Sequence, residues 1–230
     1  MMVRKSGPVA NRTPTVSSRL RSTGVAPRSD SKYARTRTRI LDAAAYVLSV
    51  KGYSGTRLSD VAERAEIQAP AIYYYFPSRD DLIEEVMASG LADMRRHLRE
   101  TLDALPPDAT PLDRILAAVE AHLRHELELS DYTTASIRNS GQIPERLRTR
   151  QASEGAGYNA IWRELFDEVA ASGQIRQDLD PRLAQSLVLG ALNWAAEWWD
   201  PRRSSLEAIV ANAQSMVRGG LSPTAPATDA

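Results

Sequence analysis

The chain has 230 residues, with 29 Lys+Arg set against 29 Asp+Glu and no cysteine. This excludes a disulfide framework, a thiolate metal site and a cysteine nucleophile, and fits a reducing cytoplasm. No apolar run approaches the roughly 20 residues of a membrane span, so a soluble globular protein with no membrane partner is expected.

The neutral total hides an asymmetry. Residues 1–39 carry +9 and the remainder −9, a basic end on an acidic body, which points to a polyanion held at one end. Residues 1–30 hold Ser, Thr, Pro and Gly without periodicity and are expected to form a disordered basic arm. No apolar stretch supports a signal peptide, and Pro8, Pro14, Gly24 and Pro27 interrupt the amphipathic helix of a transit peptide.

Helical signals follow almost without a break. Ile40, Leu41, Ala44, Val47 and Leu48 lie on one stripe of a first helix that stops at Gly52. A short helix carries Leu58, Val61, Ala62 and Ala65. Another begins near Gln68, sets Ile72 and Phe76 at i, i+4, and ends at Pro77. A longer one starts near Ser78 and runs through Leu98. After the break at Leu105–Pro111, Thr110 is the expected N-cap of the next helix, with Pro111 at N1 and Asp113 closing a capping box. Ser130 caps a helix ending near Gly141, and Pro144 opens one that stops at Gly173. Asp180-Pro181 starts a helix running to Asp200-Pro201, and Ser204 or Ser205 starts the last, finished by Gly219-Gly220. The expected fold is all-α: an N-terminal three-helix helix-turn-helix domain at 31–78, a helical effector-binding and dimerisation domain at 79–221, and a flexible tail at 222–230.

Two short helices joined by a tight turn have helix-turn-helix geometry, in which the second enters the major groove by its N-terminal end. The stretch Gly52-Tyr-Ser-Gly-Thr56, Val61-Ala62, Ala65, then Ile72-Tyr-Tyr-Tyr-Phe76-Pro-Ser-Arg79 and Leu82 resembles the DNA-binding domain of TetR-family transcriptional regulators, over about residues 33 to 85. Two positions depart from that pattern. Glu66 stands where the family commonly has Gly, so a non-Gly residue must tolerate φ > 0. Arg57 stands where Thr or Ser usually caps, leaving Thr56 as the available hydroxyl.

Duplex DNA with a palindromic operator is therefore the expected partner. Gln68 has two open roles, pairing with adenine N6/N7 or capping its helix. Ala69, Pro70 and Ala71 are small enough to let the helix end sit deep, with methyls against thymine. The resemblance implies phosphate contacts from the Tyr73 and Tyr74 hydroxyls and from Arg79, whereas Tyr75 lies beside Ile72 and Phe76 as core. Thr56, Arg57 and Ser59 open the preceding helix at its positive dipole end. Arg35 opens the first helix beside Arg37 and Arg39, and residues 1–30 either follow the DNA backbone or are incidental.

In the body, the 181–199 helix is apolar over nearly its whole circumference and should be buried on more than one side. Gly190 at its middle suits a close helix–helix approach. With the last helix it resembles the pair that builds the four-helix interface of TetR-family dimers. A homodimer is expected, with Leu187, Gly190, Ala191, Leu206, Ile209, Ala213 and Met216 at its interface. Trp162, Phe166, Trp194 and Trp198 either line an effector cavity, with His122, Tyr132 and Asn193 as polar contacts, or are packed core. Gly190-Ala-Leu-Asn-Trp194 with Trp198-Trp-Asp-Pro201 looks like members that respond to fatty-acyl or steroid-derived CoA thioesters. Arg146, Arg148 and Arg150 then either neutralise CoA phosphates or are surface charges.

An enzyme is not expected. His122 and His125 share a helix face at i, i+3, but zincins use i, i+4 with an intervening Glu, and no third ligand stands by. Both are read as partly exposed helix residues. No Gly-rich phosphate loop or nucleophile elbow occurs, and no cofactor or metal is called for. The resemblance implies a ligand-responsive regulator, a repressor rather than an activator. A helical adaptor that docks protein instead of DNA is the other class.

Overall fold

A computed structural model of the chain describes residues 28–223. The arm up to residue 27 and the tail from residue 224 lie outside the described residues. Among those described there is no strand, and no helix is long and apolar enough to cross a membrane.

Helix α1 (Arg28–Gly55) takes in residues 28–30, which the sequence assigns to the arm, and breaks at Gly52 (φ 70°, ψ 174°), a conformation that glycine adopts without steric cost. The chain then turns into α2 (Leu58–Arg64) and α3 (Ala69–Ile72). Between them Ile67 N–H reaches the Ala62 carbonyl (3.0 Å) and Glu66 N–H the Glu63 carbonyl (3.1 Å), a Schellman closure of α2. Glu66 takes the left-handed position of that closure at φ 54°, as its place in the turn demands. Arg39 of α1 donates to the Ala65 carbonyl and to the Glu66 carbonyl beyond it, holding the strained turn.

Helix α4 (Arg79–Asp103) starts at Ser78, whose hydroxyl accepts from Asp81 N–H (3.1 Å), and runs from the head into the body. The Thr110–Asp113 capping box opens α5 (Pro111–Arg124) as expected. It continues without interruption into a π-helical turn, His125–Leu129, which periodicity does not reveal. Ser130 caps α6 (Asp131–Asn139), and a 3-10 turn at Glu145–Leu147 precedes α7 (Arg148–Ala171). Asp180 caps α8 (Pro181–Asn193), and Ser205 caps α10 (Leu206–Leu221). The expected single helix from Pro181 to Asp200 is broken at Trp194, with α9 (Ala195–Trp198) beyond it. The last helix passes through Gly219 and Gly220 to end at Leu221.

Two apolar cores result. The body core gathers α4, α5, α7, α8 and α10 around the fully buried Trp162 and Phe166. The head core joins Ile40, Leu48, Val61, Ile72 and Phe76 to Leu82, Ile83, Val86 and Met87 of α4, and also to Ala135, Ile143 and Leu147. Helix α6 thus packs into the head as well as the body. Gly90 lets α4 and α6 touch backbone to backbone, with Ser136 Oγ donating to the Met87 carbonyl (2.8 Å) and Thr133 Oγ1 to the Gly90 carbonyl (3.2 Å).

Candidate nucleic-acid interface and effector cavity

Gln68, Pro70, Ala71, Tyr73 and Tyr74 are exposed along one edge of the head, with Ala69 half-buried behind them. Gln68 occupies the N-cap position yet makes no cap hydrogen bond, so of its two roles capping falls away and the amide is available outward. Tyr73 and Tyr74 are 59% and 76% exposed, unusual for aromatic rings on a folded surface, and Tyr75 is half-buried. Tyr33 of α1, which the sequence did not single out, packs on Tyr75 (ring centroids 4.9 Å) and edge-on to Tyr74 (5.9 Å). It ties the start of α1 to the recognition edge. Arg57, Ser59 and Arg35 are exposed on the same head.

Two expected phosphate contacts take on other work. Thr56 is buried, and its hydroxyl donates to the Gly52 carbonyl (2.7 Å), closing the frayed end of α1. Arg79 donates through Nε to the Thr56 carbonyl (2.8 Å) and through Nη2 to the Tyr53 carbonyl, with its guanidinium 4.4 Å from the Tyr53 ring centroid. It clamps the Tyr53–Thr56 loop to the start of α4. A planar fork satisfies two carbonyls at once, which a lysine ammonium does not reproduce.

The body holds a cavity of about 670 Å³ between α4, α6, α7, α8 and α9. Asn193 and Trp194 line it as anticipated, and Arg148 alone of the three candidate CoA-phosphate arginines joins them. Arg146 instead pairs with Asp80 at the head. The other pocket expectations are corrected. Trp162 and Phe166 are core, and Tyr132 donates its hydroxyl to Asp42 of α1 (2.8 Å). Trp198 lies on a separate apolar groove, and His122 sits behind the cavity wall, its Nδ1 2.9 Å from the Tyr158 hydroxyl. His122 and His125 are both buried, not partly exposed as their spacing suggested. The sequence missed Tyr158, Arg138, Gln151 and Glu197 as lining residues, because no local pattern says which helix faces converge.

Arg138 connects this cavity to the head. Its Nε donates to Glu197 on α9 (3.1 Å) and its Nη1 to the Ser49 carbonyl of α1 (3.1 Å). Beside it Asn139 accepts from Tyr53 N–H (2.7 Å) and donates to the Leu48 carbonyl (3.3 Å). One turn of α6 therefore holds the end of α1 by both its carbonyls and a free amide.

The separate groove, about 440 Å³, runs between α8 and α10 and is lined by Leu187, Ala191, Ile209, Ala213 and Met216 among others. Leu187 and Met216 are 75% and 77% exposed, and Leu183 is also open, so α8 presents an apolar side to solvent in the single chain. Leu206 is buried in the chain's own core. A side chain at Gly190 would meet nothing within 4 Å among the described residues, so no close approach among them accounts for it.

Comparison with known proteins adds two domain matches. The family model for bacterial regulatory proteins of the tetR family matches residues 40–86, and the one for the tetracyclin repressor-like C-terminal domain matches residues 108–221. The fatty acid metabolism regulator protein of Bacillus subtilis is 24% identical over 162 residues, 70% of this chain and 81% of its own length. The HTH-type transcriptional repressor KstR2 of Mycolicibacterium smegmatis is 24% identical over 204 residues, 86% of this chain and 96% of its own. The crystal structure of AibR in complex with isovaleryl coenzyme A and operator DNA superposes with a TM-score of 0.71 at 18% identity, covering 79% of this chain and 97% of that one. With both domains matched and the exposed helix-turn-helix edge in place, the chain belongs to the TetR family of DNA-binding transcriptional regulators, and it is not an enzyme.

Proposed function

We propose that the protein is a homodimeric repressor that binds a palindromic operator and is released by a hydrophobic small molecule of the acyl-CoA class. The observation that carries this reading is the pairing of two uncovered surfaces on one chain: the Gln68–Tyr74 edge of the head and the apolar α8–α10 face of the body. A single head offers too few contacts for tight operator binding, and a two-fold partner on α8 and α10 supplies the second. In this reading Gln68, Ala69, Pro70 and Ala71 face base edges, and Tyr73, Tyr74, Arg57, Ser59 and Arg35 serve the phosphates. Thr56 and Arg79 position the loop between α1 and α2.

An effector entering the 670 Å³ cavity meets Arg138 and Glu197 at once. Any ligand that favours a different placement of Arg138 weakens its hold on the Ser49 carbonyl, and with it the angle of the head. The shift in operator affinity then equals the ligand's differential affinity for the two head placements. The fatty acid metabolism regulator among the relatives and the isovaleryl coenzyme A bound to AibR support the acyl-CoA class.

The test is footprinting on DNA upstream of the protein's own gene and its neighbours, with and without isovaleryl-, octanoyl- and stearoyl-CoA. Protection of a two-fold symmetric site, steeply salt-dependent and lost with one thioester, is the expected result. Absence of any protected site at low salt overturns the DNA-reading proposal, and protection indifferent to every thioester overturns the effector class.

A further inference from the structure

Behind the cavity lies a knot of polar groups that the regulator's fold does not require. His122, Glu126, Tyr158 and Trp162 come from the end of α5, the π-helical turn and α7; the side chains of His122, Glu126 and Trp162 are sealed from solvent, and Tyr158 is 5% exposed. The His122 ring lies 6.0 Å from that of Tyr158 and 6.2 Å from that of Trp162, centroid to centroid. Tyr158 OH and His122 Nδ1 are hydrogen-bonded at 2.9 Å, and His122 Nε2 stands 3.3 Å from Glu126 Oε2. Both Glu126 oxygens, His122 Nε2 and Trp162 Nε1 nonetheless find no hydrogen-bond partner among the described residues. Buried polar atoms left in this state are costly, and a cluster of them in one core calls for a cause. Burial pushes the Glu126 carboxyl and the Tyr158 phenol above their ordinary pKa values, so both hold their protons more firmly than in water.

Two further observations connect this knot to the cavity. Glu126 is carried by a π-helical turn, a costly irregularity concentrated at functional sites. Tyr158 belongs to both assemblies, since it lines the 670 Å³ cavity and is the outermost member of the chain that runs back to Glu126. A phenol bonded on one side to His122 still has hydrogen-bonding capacity on the other.

We propose that the Glu126–His122–Tyr158 chain is the polar reading point of the cavity, and that it selects an effector carrying a hydroxyl or keto oxygen along an otherwise apolar skeleton over the plain alkyl counterpart. This rests on the reading of the cavity as the effector site. The apolar part of a mixed lining, Leu91, Met94, Ile137 and Leu189, binds both kinds of skeleton beside polar residues such as Gln151 and Asn193, and only the oxygenated one adds a bond to the tyrosine. A pocket built around a buried hydrogen-bonding group penalises the ligand that leaves it unmatched.

The experiment measures calorimetric affinity of the full-length protein for decanoyl-CoA beside 3-hydroxy-, 3-keto- and 10-hydroxydecanoyl-CoA, and for the same four as free acids, with wild type and Tyr158→Phe. The expected result is at least a tenfold tighter Kd for one oxygenated member. In Y158F that preference shrinks to within about twofold while decanoyl affinity holds, with folding checked by thermal melting. Equal affinity for plain and oxygenated members, or a preference that survives in Y158F, overturns the proposal. Discrimination among the free acids with no thioester binding keeps the polar reading point and removes only the CoA class. No binding by any of the eight removes both.

Discussion

Replacing Gly90 by alanine tests the backbone contact between α4 and α6. An ideal Cβ at this position overlaps the Tyr132 carbonyl oxygen and falls 2.5 Å from Ser136 Oγ and 2.6 Å from the Tyr132 carbonyl carbon, inside the 3.0 Å that real Cβ atoms keep. Two of those atoms are backbone, so relief requires α6 to move off α4. Overpacking of this kind costs about 1–3 kcal/mol. Separation also stretches the Ser136–Met87 and Thr133–Gly90 hydrogen bonds, worth about 1 kcal/mol each. Against this stands a helix-propensity gain of about 1 kcal/mol for alanine over glycine. The net is a destabilisation of about 3 kcal/mol, or a fall of about 6–12 °C in Tm for a chain of this size. Urea titration followed by circular dichroism, with m checked for constancy, gives the number. A G90A protein as stable as wild type would mean that propensity outweighs crowding and that α4 and α6 do not touch at this point.

Arg79→Lys keeps the charge but loses the fork that joins the Tyr53 and Thr56 carbonyls, so it is expected to lose about 1–2 kcal/mol of stability and to weaken operator binding; unchanged stability with unchanged binding would restore the simple phosphate role. Burial, aided by the facing His97 and Arg96 and opposed by Asp93, depresses His125 to about 4. Below pH 6.5 the unfolded chain therefore takes up a proton that the folded chain refuses, and stability drops by about 2 kcal/mol between pH 7 and 5. Glu126, raised by burial, works in the opposite sense and is common to both proteins, so His125→Asn flattens the acid limb; parallel pH profiles for variant and wild type refute this assignment. Leu187→Glu and Met216→Glu, at sites open in the single chain, are expected to leave monomer stability within about 0.5 kcal/mol and to halve the mass measured by light scattering, whereas an unchanged mass moves the dimer interface elsewhere.

What the sequence discloses about this molecule is mostly local. Ser78, Thr110, Ser130, Asp180 and Ser205 each sit where a cap must be, and each accepts the backbone amide that a cap accepts. The strained Glu66 is legible for the same reason, because the turn between α2 and α3 has a fixed length and one residue must be left-handed. Convergence is not legible. Trp162 and Trp194 each read as apolar helix positions, yet one is fully buried and the other 64% exposed. The difference lies in which neighbour covers each helix face, and spacing within one helix is silent on that. The surroundings of Arg79 and His122 are likewise not local: the Tyr53 and Thr56 carbonyls and a phenol 36 residues away decide them.

Because Ala135, Ile143 and Leu147 complete the interior of the DNA-reading end, that end is not a detachable module. A chain cut short after α4 would lack three of the residues that seal its own hydrophobic centre, leaving buried apolar side chains of the head open to water. Nonsense mutations between the end of α4 and Leu147 should accordingly behave as plain losses of function.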